Sequence, residues 1–340
     1  MKRSVLVVAI VRINLILLLI CTFALCFLSG CSNDSDRELS VTLTAADISM
    51  DPPVAEKREF SVVAPHGAQR QDDYYWLRDD QRQDQDILDY LNAENKYTDA
   101  AMSHLTGLKD SLYEELIGRL KQDDASVPYL YKDFWYYVRY EENNDYPIYA
   151  RRKESMDAPE EVMLHVNELA QNHDYYKVAN WSVSPDQNLL AYVVDTVGRR
   201  QYALYVKNLT TGQVIDTGVT GTSYDLAWAQ DNQTIFYVWN NPDTLLSKSV
   251  KSHQLGTNAE SDPVVYYEPD DIYYLSVELI RSEDYICILC ESTLTSEQRC
   301  ASAANPVDFR LIAARKQGVE YWADHLNDRW IVRTNEDAPN

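Results

Sequence analysis

Glycine is scarce in this sequence, at ten of 340 residues. Phosphate-cradling loops and strained nucleophile turns depend on it, and their signatures are missing: there is no G-x-G-x-x-G, no P-loop and no G-x-S-x-G. The nearest approach to a nucleophile turn, Gly221-Thr-Ser223-Tyr-Asp225, lacks the second glycine, so Ser223 reads as an ordinary loop serine. Six histidines form no H-E-x-x-H and no spaced Cys/His cluster, so neither metal nor cofactor is expected. Asp324-His325 are adjacent in sequence, where side chains diverge rather than form a relay. Positive charge is also short, with 31 Lys+Arg against 53 Asp+Glu and a net charge of -22. That balance repels phosphate backbones, and no basic stripe offsets it, so nucleic acid is not an expected partner; short basic peptides are.

Tyrosine, by contrast, is abundant, with 25 residues, and 45% of the chain is hydrophobic. This composition suits a globular body rich in β-strands. The first thirty residues are a separate unit. Lys2 and Arg3 precede an apolar stretch from about Leu15 to Phe27, and Val5 to Leu28 is nearly long enough to span a bilayer, although Arg12 and Asn14 interrupt it. Leu28-Ser29-Gly30-Cys31 decides against a span, because it resembles a bacterial lipobox. Residues 1–30 are then a signal peptide cleaved between Gly30 and Cys31, and acyl chains on Cys31 anchor the product in the cell envelope. Ser32 points to the outer membrane, facing the periplasm. Cleavage removes three basic residues and no acidic one, taking the net charge to -25.

Residues 31–51 are polar and acidic, as a tether would be. Residues 52–126 hold two amphipathic helical patterns between about Asp84 and Leu120, punctuated at Gly107. After Pro128 the pattern changes to short β runs, among them 134–138, 189–194, 202–206, 235–239, 285–289 and 330–332. Polar turns at Pro185-Asp186, Asp231-Asn232, Glu283-Asp284 and Asn327-Asp328 precede four of them, with Asp186, Asp231, Asp284 and Asp328 standing 45, 53 and 44 residues apart. That period matches a β-propeller blade, with a β-sandwich as the alternative. The acidic pairs Asp79-Asp80, Asp123-Asp124 and Asp270-Asp271 read as solvated turn charges. Of the cysteines beyond the anchor, Cys287, Cys290 and Cys300 allow at most one disulfide, and Cys287-x-x-Cys290 lies in an apolar strand pattern that favours buried structural thiols.

Asp73-Tyr74-Tyr75-Trp76-Leu77-Arg78-Asp79-Asp80, preceded by His66-Gly67 and Arg70, resembles the N-terminal segment of the prolyl oligopeptidase family of serine peptidases, in its oligopeptidase B branch. Leu88–Asn95, Arg199–Tyr202, Asn208–Gly212, Thr244–Leu246, Leu255–Thr257, Asp270–Tyr274, Thr295–Glu297 and Glu320–His325 fit in the same order. The resemblance covers about residues 52–340. It implies that residues 52–126 wrap onto a catalytic α/β-hydrolase domain and that residues 127–340 begin a seven-bladed propeller, of which about four to five blades are present. The propeller would restrict access to short peptides. The triad and the acidic pocket selecting Arg or Lys belong to the hydrolase domain, which this sequence does not reach, so no catalytic residue is assigned and Tyr74, Tyr75, Trp76, Leu77, Arg78 and Asp79 are given a structural role. Two other readings stand beside this gating portion: a non-catalytic, membrane-anchored lipoprotein that binds peptides or a protein, and a truncated gene product.

Overall fold

The computed structural model describes residues 50–338. Gly30, Cys31 and the whole leader lie outside those residues. The chain divides into two compact units, Met1–Arg119 and Leu120–Asn340. In the first, a small hairpin of β1 (Ser61–Val63) and β2 (Gln69–Gln71) precedes α1 (Gln85–Met102) and α2 (Thr106–Gly118). Asp84 caps α1, its carboxylate accepting the Asp86 N–H. The helices are separated by one 3-10 turn at Ser103–Leu105, and Gly107, expected to punctuate them, lies inside α2 with helical neighbours. The apolar stripe of α2 is uncovered: Leu112, Tyr113, Leu116 and Leu120 just beyond it are exposed.

The second unit is a series of antiparallel blades. Blade 1 is β3 (Tyr129–Tyr131), β4 (Phe134–Arg139), β5 (Ile148–Lys153) and β6 (Glu160–His165), followed by a single helical turn, α3 (Val166–Leu169). Blade 2 is β7 (Lys177–Val183), β8 (Leu189–Asp195), β9 (Tyr202–Asn208) and the first part of β10 (Val214–Trp228). The second part of β10 opens blade 3, continued by β11 (Thr234–Asn240), β12 (Ser247–Gln254) and β13 (Val264–Tyr267). Blade 4 is β14 (Tyr274–Leu279), β15 (Tyr285–Glu291), β16 (Ser296–Ser302) and β17 (Arg310–Ala313). A hairpin of β18 (Tyr321–Leu326) and β19 (Arg329–Thr334) begins the next. Among the described residues the sheets do not close into a ring, and the β-sandwich alternative is set aside by this blade order.

The expected polar turns join the first and second strands of their blades. Gln187, Asn232, Glu283, Asn327 and Asp328 all have positive φ there. Carboxylates stabilise such turns: Asp231 accepts the Gln233 and Thr234 N–H groups, both at 2.8 Å. Between blades, the facing strands bury their side chains in successive clusters. Tyr136, Met163 and Tyr192 fill the first seam, Leu204, Trp228 and Tyr237 the second, and Phe236, Val277 and Ile288 the third. Polar staples cross the same seams, such as Trp228 Nε1–H to the Ser182 carbonyl at 3.0 Å.

The cysteine expectation needs one correction. Cys287 and Cys300 form a disulfide, and only Cys290 is a free, buried thiol among the described residues. Cys287 lies directly opposite Cys300 on the antiparallel pair β15–β16, so both side chains leave the same face of the sheet. Cys290, an odd number of residues along, faces the other seam.

Candidate functional site

The aromatic motif near the start folds into one turn of 3-10 helix, Tyr75–Leu77. Trp76 donates its ring N–H to the Glu56 carbonyl at 2.8 Å, Arg58 lies 4.2 Å over the indole, and Tyr75 stacks on Phe60 at 4.3 Å. The Asp79 carboxylate accepts backbone N–H groups of Asp84, Gln83 and Gln81, and these bonds hold its pKa below the ordinary value. Arg78 forks onto Asp80 through bonds of 3.1 and 3.2 Å. Tyr74, at the start of this turn, is exposed. These contacts fix a chain reversal.

Ser223 lies within β10 and donates its hydroxyl to Asp225 at 2.8 Å, with no imidazole among its partners. The His325 imidazole does not engage Asp324, whose carboxylate accepts the Arg281 and His325 backbone N–H groups. A buried pair that the sequence pattern does not reveal is His253 and Asp262, with Nδ1 3.0 Å from the carboxylate and the Tyr237 hydroxyl donating to Asp262 at 3.0 Å. Burial and the adjacent carboxylate push the Tyr237 pKa up. Among the described residues no serine or cysteine hydroxyl or thiol bonds to that imidazole, so the arrangement staples β11 and β12 to the segment before β13.

The arrangement best suited to a ligand lies along the first strands. β7, the second part of β10, and β14 are successive neighbours, so their outward residues share one wall. Asp225, Glu278 and Asp324 stand on three consecutive first strands. Glu278 has a raised pKa, caused first by desolvation and then by Asp324, Glu291 and Asp225; Asp225 is raised by burial. At the end of the blades that carries the first-to-second-strand turns, Lys132 of blade 1 reaches Glu283 of blade 4 at 3.1 Å and the Pro185 carbonyl at 2.9 Å, so side chains bridge that end.

The opposite end holds a cleft of about 880 Å³, lined by Lys177, Arg199, Arg200, Tyr224, Asp225 and Tyr274 among others. Its cationic side is a loop between the second and third strands of blade 2, built around Asp195. That buried carboxylate accepts the N–H groups of Val197, Gly198 and Arg200 at 2.8, 3.0 and 2.7 Å. Gly198 and Arg200 take positive φ in consequence. The ring of Tyr175 lies 3.7 Å from where a Cβ on Gly198 would stand, an ordinary contact, so it is the backbone sign rather than space that favours glycine here.

Residues 52–340 match the family described as "Prolyl oligopeptidase, N-terminal beta-propeller domain". The chain is 48% identical over 316 residues to dipeptidyl aminopeptidase BI of Pseudoxanthomonas mexicana, covering 88% of this chain and 44% of that protein. It is 32% identical over 283 residues to Protease 2 of Moraxella lacunata, covering 81% and 41%. Among solved structures, oligopeptidase B from Leishmania major superposes with a TM-score of 0.78 at 27% identity, covering 84% of this chain and 43% of that one. The chain thus spans less than half the length of the relatives it matches. The order of its blades, its terminal helices and these matches agree, and the chain belongs to the prolyl oligopeptidase family through that family's N-terminal propeller domain.

Proposed function

We propose that the chain is the gating propeller portion of a serine endopeptidase that cleaves short peptides after Arg or Lys. The carboxylate wall of Asp225, Glu278 and Asp324 carries the reading: three acidic groups stand on consecutive first strands, and a cationic side chain placed among them would stabilise the charged form that desolvation first, and the neighbouring carboxylates second, disfavour at Glu278. In this reading the hydroxyl nucleophile, imidazole and carboxylate come from a hydrolase domain, and the chain's own residues admit and steer peptides. The uncovered apolar stripe of α2 supports such a covering domain. Cys31 would tether the protein by its acyl chains to the bacterial envelope, with the outer membrane facing the periplasm favoured.

The test begins with antibodies raised to residues 52–338, which recover the native protein from cells for assay with a serine-reactive probe and fluorogenic peptides. Labelling together with cleavage after Arg and Lys, but not after Glu or Leu, is expected. Absence of any labelled hydrolase, or cleavage indifferent to the residue before the bond, refutes the proposal. The 48% identity to a protein named a dipeptidyl aminopeptidase favours a second reading, in which dipeptides are released from free amino termini. Blocking the substrate's amino terminus separates the two: it abolishes dipeptide release and leaves endopeptidase cleavage intact.

A further inference from the structure

We propose that the cleft beside the blade 2 loop is a carboxylate-binding subsite that takes the anionic end of a short peptide through Arg199 and Arg200. This deepens the peptidase reading above and rests on it for the identity of the ligand as a peptide.

The charge pattern carries the argument. Acidic residues outnumber basic ones by a wide margin, 53 to 31, so a guanidinium should readily find a carboxylate. The partly buried arginines Arg139, Arg151, Arg299 and Arg315 each have one, in Glu160, Glu161, Glu297 and Glu268 respectively. Lys177, Arg199 and Arg200 line one cleft, and among the described residues none of the three forms an ion pair or a side-chain hydrogen bond. Asp195, the carboxylate nearest to them in sequence, is not free to neutralise them, because backbone N–H groups occupy its oxygens. The loop is therefore held by a buried anion, while two guanidinium groups are left for something outside the chain.

A planar carboxylate matches a guanidinium fork through two parallel N–H···O bonds. Tyr224 and Tyr274, 55% and 62% exposed, offer aromatic faces along the rim for the peptide's side chains. Asp225 stands on the same lining and accepts the Ser223 hydroxyl; it provides an acceptor for backbone N–H groups or for a basic side chain. A peptide with one basic residue and a free carboxyl end would thus be oriented by opposite charges at its two ends.

Titration calorimetry on the full chain, using Gly-Phe-Gly-Arg-Ala-Ala as its free acid, as its carboxamide, and as a carboxamide with glutamate in the last position, tests this. The free acid is expected to bind roughly tenfold more tightly than the neutral carboxamide. In the Arg199→Gln/Arg200→Gln protein that preference should collapse to about one, whereas Arg310→Gln, at an exposed arginine elsewhere, should preserve it. Equal binding of the glutamyl carboxamide assigns the subsite to any carboxylate, and weaker binding assigns it to the terminal one; both outcomes support the subsite. Should the double variant fail to fold, Lys177→Gln, at an exposed strand start, and the fall in preference with added salt read the same charge. Equal affinity of acid and carboxamide for the unmodified chain, persistence of the preference in the double variant, or failure of all three peptides to bind overturns the proposal. Since amide hydrolysis is not read, loss of the peptidase reading leaves this result interpretable, and the reverse also holds.

Discussion

Removing the Arg315 guanidinium should destabilise the seam between blades 3 and 4 in a way that depends on pH. Arg315, after β17, reaches Glu268, after β13, through a bond of 3.2 Å from Nη1 and a second from Nη2; it also bonds the Tyr266 hydroxyl at 3.1 Å and lies 3.8 Å over Tyr273. Its Nε is 3.2 Å from Glu297 of β16. The Glu268 side chain is 1% exposed and that of Arg315 23%. Arg315→Met would leave a buried carboxylate without its cation. Losing one partner of a buried pair costs about 3–5 kcal/mol, and the exposure of Arg315 places the expected loss near the lower figure, about 3 kcal/mol.

Burial pushes the Glu268 carboxyl up, but Arg315, the Asp270 N–H and the Tyr266 hydroxyl outweigh it and hold the group below its ordinary value of 4.5. A depressed folded-state pKa contributes stability that is present above the unfolded value and lost as pH falls through the folded one. In Arg315→Met the burial effect is left without its main opponent, the folded pKa rises, and the variant gains relative stability as pH falls. Urea unfolding followed by tryptophan fluorescence should therefore show a wide gap between the two proteins at pH 7.5 and a narrower one at about pH 4. Glu268→Gln combined with Arg315→Met should recover much of the loss, since the Glu268 charge is then gone and the buried Glu297 keeps Arg299 at 2.9 Å. A neutral-pH loss below about 1 kcal/mol, or a gap of the same size at both pH values, contradicts the assignment of this pair as a charged staple.

Two further outcomes are expected. Trp228→Phe keeps an aromatic ring in the second seam but removes the N–H that satisfies the Ser182 carbonyl, so unfolding free energy should fall by about 1–3 kcal/mol; an unchanged urea midpoint would show that the bond does not staple the blades. Labelled palmitate should enter the full-length protein made in a bacterium and be absent from Cys31→Ser, and an unlabelled parent protein would end the lipid-anchor proposal.

The strands that sequence pattern makes legible are those with apolar neighbours on both faces. β8, β11 and β15 are second strands, flanked within their own blade and stacked against the next, and their runs Leu190–Asp195, Ile235–Val238 and Ile286–Cys290 are buried. First strands such as β14 and β18 alternate buried and accessible residues, and outer strands such as β17 are mostly exposed, so neither gives a continuous apolar run. The turn between β3 and β4 is equally hard to read, because Lys132 rather than Asn or Gly takes the positive φ there. The cleft is illegible for a different reason. Arg199 and Arg200 are visible in the sequence as a pair, but Tyr224, Asp225 and Tyr274 join them only when three blades are stacked. The disulfide likewise follows from strand register, which brings together two cysteines 13 residues apart, and not from the shorter Cys287-x-x-Cys290 spacing.

β10 has a consequence for anyone dividing this protein into pieces. One uninterrupted strand, Val214–Trp228, hydrogen-bonds outward to β9 and then onward to β11, bending at Gly218 and Gly221 without a connecting loop. Proteolysis or a fragment boundary placed there would cut two sheets at once, so blades 2 and 3 should survive or melt as one body. The loop of residues 268–273, where no strand is shared, is the natural place to open the array.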